Sequence, residues 1–203
     1  LAARMFDIPV MIHESDSTPG RVNKWAGKFA KKIAVSYPEA VQYFAKDRVA
    51  VTGNPMRKRV MMPSHEGAHQ YLKLDPNVPA LLVIGGSQGS TTLNDAVVEA
   101  LPFLLEHYQV IHQTGVDNFT ATVGMSKVSL ENSAFKERYH PFGYLTELAM
   151  RMSYGVAALV ISRAGSTIFE VAICGLPSII IPIPEEFSHD QTKNAYSYSR
   201  SGA

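Results

Sequence analysis

The order of segments along the chain predicts an α/β protein built on parallel sheets. Short β-rich apolar runs alternate with helical patterns along all 203 residues, and parallel strands need a crossover between them, most often a helix. Several runs, ALLVIG (80–85) among them, are apolar throughout rather than alternating, as strands covered on both faces are.

Each element has its own signal. IPVMIHE (8–14) reads as a strand and GRVNKWAGKFAKK (20–32) as a basic amphipathic helix. KIAVSY (32–37) is a strand. PEAVQYFA (38–45) opens with Pro and Glu, as a first helical turn does. RVAVTG (48–53) is a strand. GNPMRKRVMMPSHEGAH (53–69) carries several breakers and reads as a connection. ALLVIG is followed by the helix TTLNDAVVEALPFLLEH (91–107), with a Pro inside it, and by the strand YQVIHQT (108–114). YLTELAMRMSY (144–154) is a helix, AALVIS (157–162) a strand, STIFEVAIC (166–174) a helix, PSIIIPIP (177–184) a strand and HDQTKNAYSYSR (189–200) a helix. A new α/β unit starts after the break at 53–63. The expected division is 1–55 and 56–203.

Composition narrows the function classes. A hydrophobic share of 46% builds a core, and a net charge of +1 gives no electrostatic case for nucleic acid. No run of about 18 apolar residues predicts a membrane span. Cys174 is the single cysteine, so disulfides are excluded and a reducing cytoplasm fits. In EVAICGLP it reads as a buried helix residue. The seven histidines lack metal-ligand spacing. The chain opens LAARMFDIPV and ends SYSRSGA in mid-pattern, which reads as a piece of a longer polypeptide.

Three strand ends carry small and polar residues. Gly85-Gly86-Ser87-Gln88-Gly89 lies between a strand and a helix. Helix N-termini present unpaired N–H groups and partial positive charge, and glycine allows close backbone approach, so the loop suits a phosphate. An ordinary strand–helix turn is the plainer alternative. It is not a Walker A loop, and it lacks the third glycine and the later acidic residue of a dinucleotide fingerprint. In the second loop, Arg163-Ala164-Gly165-Ser166-Thr167, Glu170 follows Thr167 by three residues. Either Ser166 or Thr167 caps the helix and Glu170 closes a capping box, or the carboxylate grips both hydroxyls of a ribose. The third piece, PIPEEFSHDQTKNA, places Asp190, Gln191 and Asn194 at a helix start.

As a set, HESDSTPG (13–20), TGNPMR (52–57), GGSQG (85–89), SRAGSTIFE (162–170) and DQTKNA (190–195) resemble the MurG family, bacterial glycosyltransferases that make lipid II; HESDSTPG looks like the Gram-positive version. The resemblance implies the glycosyltransferase B fold, two Rossmann-like domains with parallel sheets, the first incomplete in this chain. It implies a UDP-N-acetylglucosamine-binding carboxy-terminal domain and an amino-terminal domain for the lipid-linked acceptor, lipid I. It implies no cofactor and no metal. Arg57 matches an arginine on the nucleotide-sugar phosphates and Ser87, flanked by Gly86 and Gln88, a serine at the same nucleotide. Leu145, after Tyr144, matches a backbone contact to uracil. Glu170 matches the ribose-binding glutamate, in a loop with Ser166 and Thr167. Gln191, near Asn194, matches a glutamine on the sugar hydroxyls, and Asp16 an acceptor-domain position lining the cleft. The SRAGSTIFE loop is one residue shorter than the family pattern. The family's amino-terminal glycine-rich loop, with its proposed catalytic histidine, has no counterpart here.

The implied reaction moves N-acetylglucosamine to the C4 hydroxyl of lipid I with inversion, on the cytoplasmic face of the bacterial cell membrane, for cell wall synthesis. The residues themselves show no convincing base. His13 is a weak candidate, and the competing reading has it holding backbone at a strand end. Trp25 with Lys24, Lys28, Lys31 and Lys32 suits an anionic lipid surface; alternatively the lysines are solvated and Trp25 is in the core. Two rival classes stay open: a UDP-N-acetylglucosamine 2-epimerase-like enzyme, which should carry paired acid–base carboxylates, and a non-catalytic nucleotide-binding domain.

Overall fold

The computed structural model describes residues 2–183 and 191–201. His189 and Asp190, with the rest of 184–190, lie outside the described residues. The chain forms two compact units. One comprises Leu1–Pro55, Ala164–Ser166 and Pro182–Ala203, the other Met56–Arg163 and Thr167–Ile181.

The first unit contains α1 (Ala2–Met5), β1 (Met11–Glu14), α2 (Arg21–Gly27), β2 (Lys32–Val35), a 3-10 turn (Pro38–Tyr43) and β3 (Val49–Val51). The strands form a parallel sheet in the order β1-β2-β3. Ala30, Ile33, Val35, Ala40 and Phe44 make its core. α2 is shorter than the predicted 20–32. It ends where Gly27 lies under the Phe44 ring, with 2.7 Å between that ring and any added Cβ. Arg48 Nη1 then takes the Ala30 carbonyl at 2.9 Å, as a cation placed just beyond a helix C-terminus does. PEAVQYFA makes only a 3-10 turn, because Phe44 leaves it in extended conformation (φ −128°) and enters the core. Trp25 is not in the core. It is 47% exposed, edge-on to Phe29 at 4.8 Å between ring centres.

The second unit contains α3 (Ala68–Leu72), β4 (Ala80–Ile84), α4 (Thr91–His107), β5 (Gln109–Gln113), α5 (Phe119–Ser129), β6 (Tyr139–Phe142), α6 (Glu147–Val156), β7 (Ala157–Arg163), α7 (Thr167–Ile173) and β8 (Ser178–Ile181). Its sheet is parallel throughout, ordered β6-β5-β4-β7-β8. β4 is buried on both faces. Ala80, Leu82 and Ile84 pack with Tyr154 and Met150 of α6, and Leu81 and Val83 with Leu93, Val97, Leu101 and Leu105 of α4. That two-sided burial is why ALLVI reads as a continuous apolar run. α4 runs unbroken through Pro102. Proline removes the N–H that the Val98 carbonyl would accept, and the Ser129 hydroxyl of α5 donates to that carbonyl at 3.1 Å instead.

The sequence signals give no α1, α3, α5 or β6. α5 buries Thr122 and Ser126 rather than an apolar stripe. β6 contains Pro141, tolerated because β6 is an edge strand. The last helix of the first unit, α8, runs Gln191–Arg200.

Candidate functional site

In the five-stranded sheet the chain builds outward from β4, first through β5 to β6, then through β7 to β8. The direction reverses between β4 and β7, and in open parallel sheets ligands sit beyond the strand ends at that reversal. The loops after β4 and β7 are those two strand ends.

The Gly85–Gly89 loop has its carbonyls turned into the protein. Arg163 Nη1, at the end of β7, donates to Gly85 O (3.2 Å) and Gly89 O (3.3 Å). Gln113 Nε2 donates to Gly86 O at 2.9 Å, and the Gly89 amide closes a turn on that same carbonyl at 3.1 Å. Asn118 Nδ2 donates to Gln88 O at 3.2 Å. Four carbonyls that would repel an anion are thus occupied. Ser87 and Gln88 stand exposed at the tip, beside α4, whose first turn is capped by Ser90. Gly86 has φ +91° with open space around it, and Gly89 has φ +76° and is pressed on Thr114, whose oxygen would lie 1.9 Å from an added Cβ. Only glycine satisfies both demands at position 89. Burial pulls the Arg163 guanidinium below its usual pKa, and its Nε, also buried, makes no hydrogen bond among the described residues.

Gln113 ties a second strand end to this loop, because its Oε1 accepts the Leu145 amide at 2.9 Å. That amide is therefore committed to protein. Leu145 is buried and the neighbouring Tyr144 exposed.

Arg57 and Glu170 meet. Arg57 Nη2 donates to Glu170 Oε1 at 3.2 Å, and the Tyr154 hydroxyl donates to Oε2 at 3.1 Å. Both oxygens of Glu170 are engaged there rather than at the start of α7, so the capping-box geometry is not formed. Burial opposes the charge on Arg57, and Glu170 more than restores it, so the guanidinium is held above its ordinary pKa. Burial first, then Glu170, raises the Tyr154 phenol. Thr167 is partly exposed at the start of α7.

The remaining candidates belong to the first unit. Asn194 is 1% exposed. It accepts the Ser17 amide at 2.8 Å and donates to Asp16 Oδ1 (2.8 Å) and Ala164 O (3.2 Å). Its amide is spent on joining three chain segments. Gln191 is buried and accepts the Ile183 amide at 3.3 Å, while Ser166 is exposed. His13 Nε2 lies 3.2 Å from the Gly53 carbonyl and 3.3 Å from the Ser36 hydroxyl, the backbone-holding arrangement. Buried Glu14 accepts the Asp16 amide and the Asn23 side chain, each at 2.9 Å. Cys174, just after α7, has its thiol raised in pKa by burial and then by Glu170. Among the described residues no three His, Cys, Asp or Glu side chains gather to hold a metal.

Arg163, Gln113, Asn118 and Tyr154 shape this site without having been singled out from sequence. For Gln113 the signal was available: a buried polar residue at the carboxyl end of an otherwise apolar strand. For Tyr154, inside an apolar helix pattern, there was none.

The carboxy-terminal domain of glycosyltransferase family 28 matches residues 80–203. Over its whole length the chain is 36% identical to 54% of a Thermodesulfovibrio yellowstonii protein named UDP-N-acetylglucosamine–N-acetylmuramyl-(pentapeptide) pyrophosphoryl-undecaprenol N-acetylglucosamine transferase. Over 96% of its length it is 39% identical to 53% of a Bacillus thuringiensis protein of the same name, number 3 in that organism. The crystal structure of Acinetobacter baumannii MurG superposes with a TM-score of 0.63 at 27% identity, covering 98% of this chain and 52% of that one. The chain thus spans about half the length of the curated relatives it matches. The α/β architecture with parallel sheets is that of glycosyltransferase B enzymes, as the sequence predicts.

Proposed function

Because the chain belongs to glycosyltransferase family 28, as its resemblance to the MurG family implied, we propose that it is part of an enzyme that transfers N-acetylglucosamine from UDP to lipid I, giving lipid II for peptidoglycan. The observation that carries this reading is the back-tied Gly85–Gly89 loop beside β7. Its carbonyls are neutralised by Arg163, Gln113 and Asn118, so donors are what it offers to a diphosphate.

In the reaction the C4 hydroxyl of the muramoyl sugar attacks the anomeric carbon, the bond to the UDP oxygen breaks, and configuration inverts. The hydroxyl proton passes to a base, and negative charge grows on the departing diphosphate. Ser87, the loop amides and Arg57 are the groups assigned to that charge. Glu170 is assigned to the ribose, Leu145 and Tyr144 to the base, Gln191 to the sugar hydroxyls and Asp16 to the acceptor side. The names of the relatives support the substrate pair.

Anchorage at the cytoplasmic face of the cell membrane belongs to the same proposal, and with it a role in cell shape and division. Exposed Val22 and Trp25 beside exposed Lys24, Lys28, Lys31 and Lys32 support it: apolar groups enter the headgroup layer and cations meet anionic lipid. No helix among the described residues is long and apolar enough to cross a membrane.

Titration calorimetry with UDP-N-acetylglucosamine, UDP-glucose and NAD tests the nucleotide assignment. The expected result is binding of UDP-N-acetylglucosamine in preference to UDP-glucose. A response to NAD with none to either UDP-sugar overturns the reading.

A further inference from the structure

Glu170 holds two hydrogen bonds, to partners of unequal exposure. The Tyr154 hydroxyl on Oε2 belongs to a side chain 1% exposed, whose ring is part of the core under β4. The Arg57 contact on Oε1 comes from a side chain 47% exposed. Water and ligands reach the second partner and not the first.

The backbone around them explains why the three residues meet. The segment that carries Arg57 is fastened to α6, the helix of Tyr154. Ser64 donates its amide to Arg151 O at 3.1 Å, and Arg151 Nε donates to Met62 O at 3.0 Å. Gly155 makes the approach possible, since an added Cβ there would lie 2.2 Å from Ser64 O. α6 is therefore a common platform. It presents Tyr154 to one carboxylate oxygen and places Arg57 within reach of the other.

We propose that Tyr154 is a positioning residue that sets the preference of this site for a ribose, and that Arg57 is the exchangeable partner of Glu170. Tyr154 keeps Oε2 and fixes the plane of the carboxylate. Arg57 releases Oε1 when nucleotide enters, and a ribose hydroxyl takes its place. The guanidinium is then available to the diphosphate. A carboxylate locked in one plane discriminates a hydroxyl from a hydrogen; a rotating one loses that advantage to the entropy of being ordered. The proposal rests on the assignment of Glu170 to the ribose.

The test is calorimetry on the full-length enzyme with UDP, 2′-deoxy-UDP and 3′-deoxy-UDP, for the wild type, Tyr154→Phe and Arg57→Gln. The wild type is expected to prefer UDP over at least one deoxy analogue by about tenfold. Tyr154→Phe should bring that preference down to about threefold or less, while binding of the same analogue stays near the wild-type value. Arg57→Gln should weaken all three ligands and keep the preference. Equal weakening of all three by Tyr154→Phe gives Tyr154 a purely structural role and overturns the proposal. So does loss of the preference in Arg57→Gln, an arm that decides the matter even if Tyr154→Phe fails to fold. A wild type indifferent to both hydroxyls instead overturns the ribose assignment of Glu170.

Discussion

At the scale of single residues, the charges and hydrogen bonds make separable predictions. Glu170 closes no helix cap, and its partner Arg57 is half exposed. Glu170→Gln should therefore weaken UDP binding by about 1–3 kcal/mol, as a hydrogen bond to a charged group does, and cost under about 1 kcal/mol of stability. Affinity by calorimetry and urea unfolding on the same sample separate the two; a large drop in stability with unchanged affinity refutes the ribose role. His112 is a different case. It is wholly buried, and burial lowers its pKa to about 4. Asn94 Oδ1, 3.1 Å from Nε2, can only accept, so the neutral ring carries its proton there and takes the Tyr139 hydroxyl at 2.9 Å on Nδ1. In the unfolded chain the ring titrates near its ordinary value of about 6.5. Unfolding then takes up a proton below that pH, so this stability is complete above about pH 6.5 and declines as pH falls toward 4. The loss is on the order of 3 kcal/mol. Urea midpoints at pH 7.5 and 4.5 should diverge more for the wild type than for His112→Gln.

At the scale of elements, glycine loops and helices show what a sequence carries and what it hides. Gly86 and Gly89 both have positive φ, but only at Gly89 would an added Cβ meet backbone, at Thr114. Gly86→Ala should cost only the conformational strain of about 1–2 kcal/mol. Gly89→Ala must also push two loops apart, so it should lower the melting temperature further and abolish UDP binding; equal melting temperatures for the two variants would falsify the loop-packing account. The bounds of α4 (Thr91–His107) were legible because its apolar period is strong and Ser90 marks its start. That Pro102 does not break it was not legible, since Ser129, which replaces the missing donor, is 31 residues from Val98. α5 was hidden because its buried face is Thr122 and Ser126, and β6 because Pro141 reads as a breaker where the strand has no neighbour beyond it. The candidate site divides the same way. Its loops are local and readable. The residues that aim them, Arg163, Gln113 and Tyr154, act across the sheet or between helices, where local spacing carries no signal.

At the scale of the whole molecule, binding and transfer should separate. Donor contacts are assigned mainly to one unit, whereas transfer needs acceptor and donor held in one reactive geometry, where misplacement costs orders of magnitude in rate. The curated relatives are about twice the length of this chain. Residues 1–203 alone should bind UDP yet fail to convert lipid I, while a full-length relative turns over. Radiolabelled UDP-N-acetylglucosamine with a soluble lipid I analogue measures both, and turnover by 1–203 near the relative's rate would place the base among His13, Glu14 and Asp16. Asn194 carries a further consequence, one of time rather than geometry. It joins Asp16 and Ser17 across 178 and 177 residues of chain, and reaches Ala164 as well. On the ribosome, that amide leaves the exit tunnel only after every strand of the five-stranded sheet has been made. The larger unit can close while translation continues, but the earlier-made loop at Asp16 must wait, unlatched, for α8. Completion of the five-stranded sheet therefore does not wait for the latch, and a released chain truncated before Asn194 should show the loop at Asp16 cut by protease while the sheet around β4 resists.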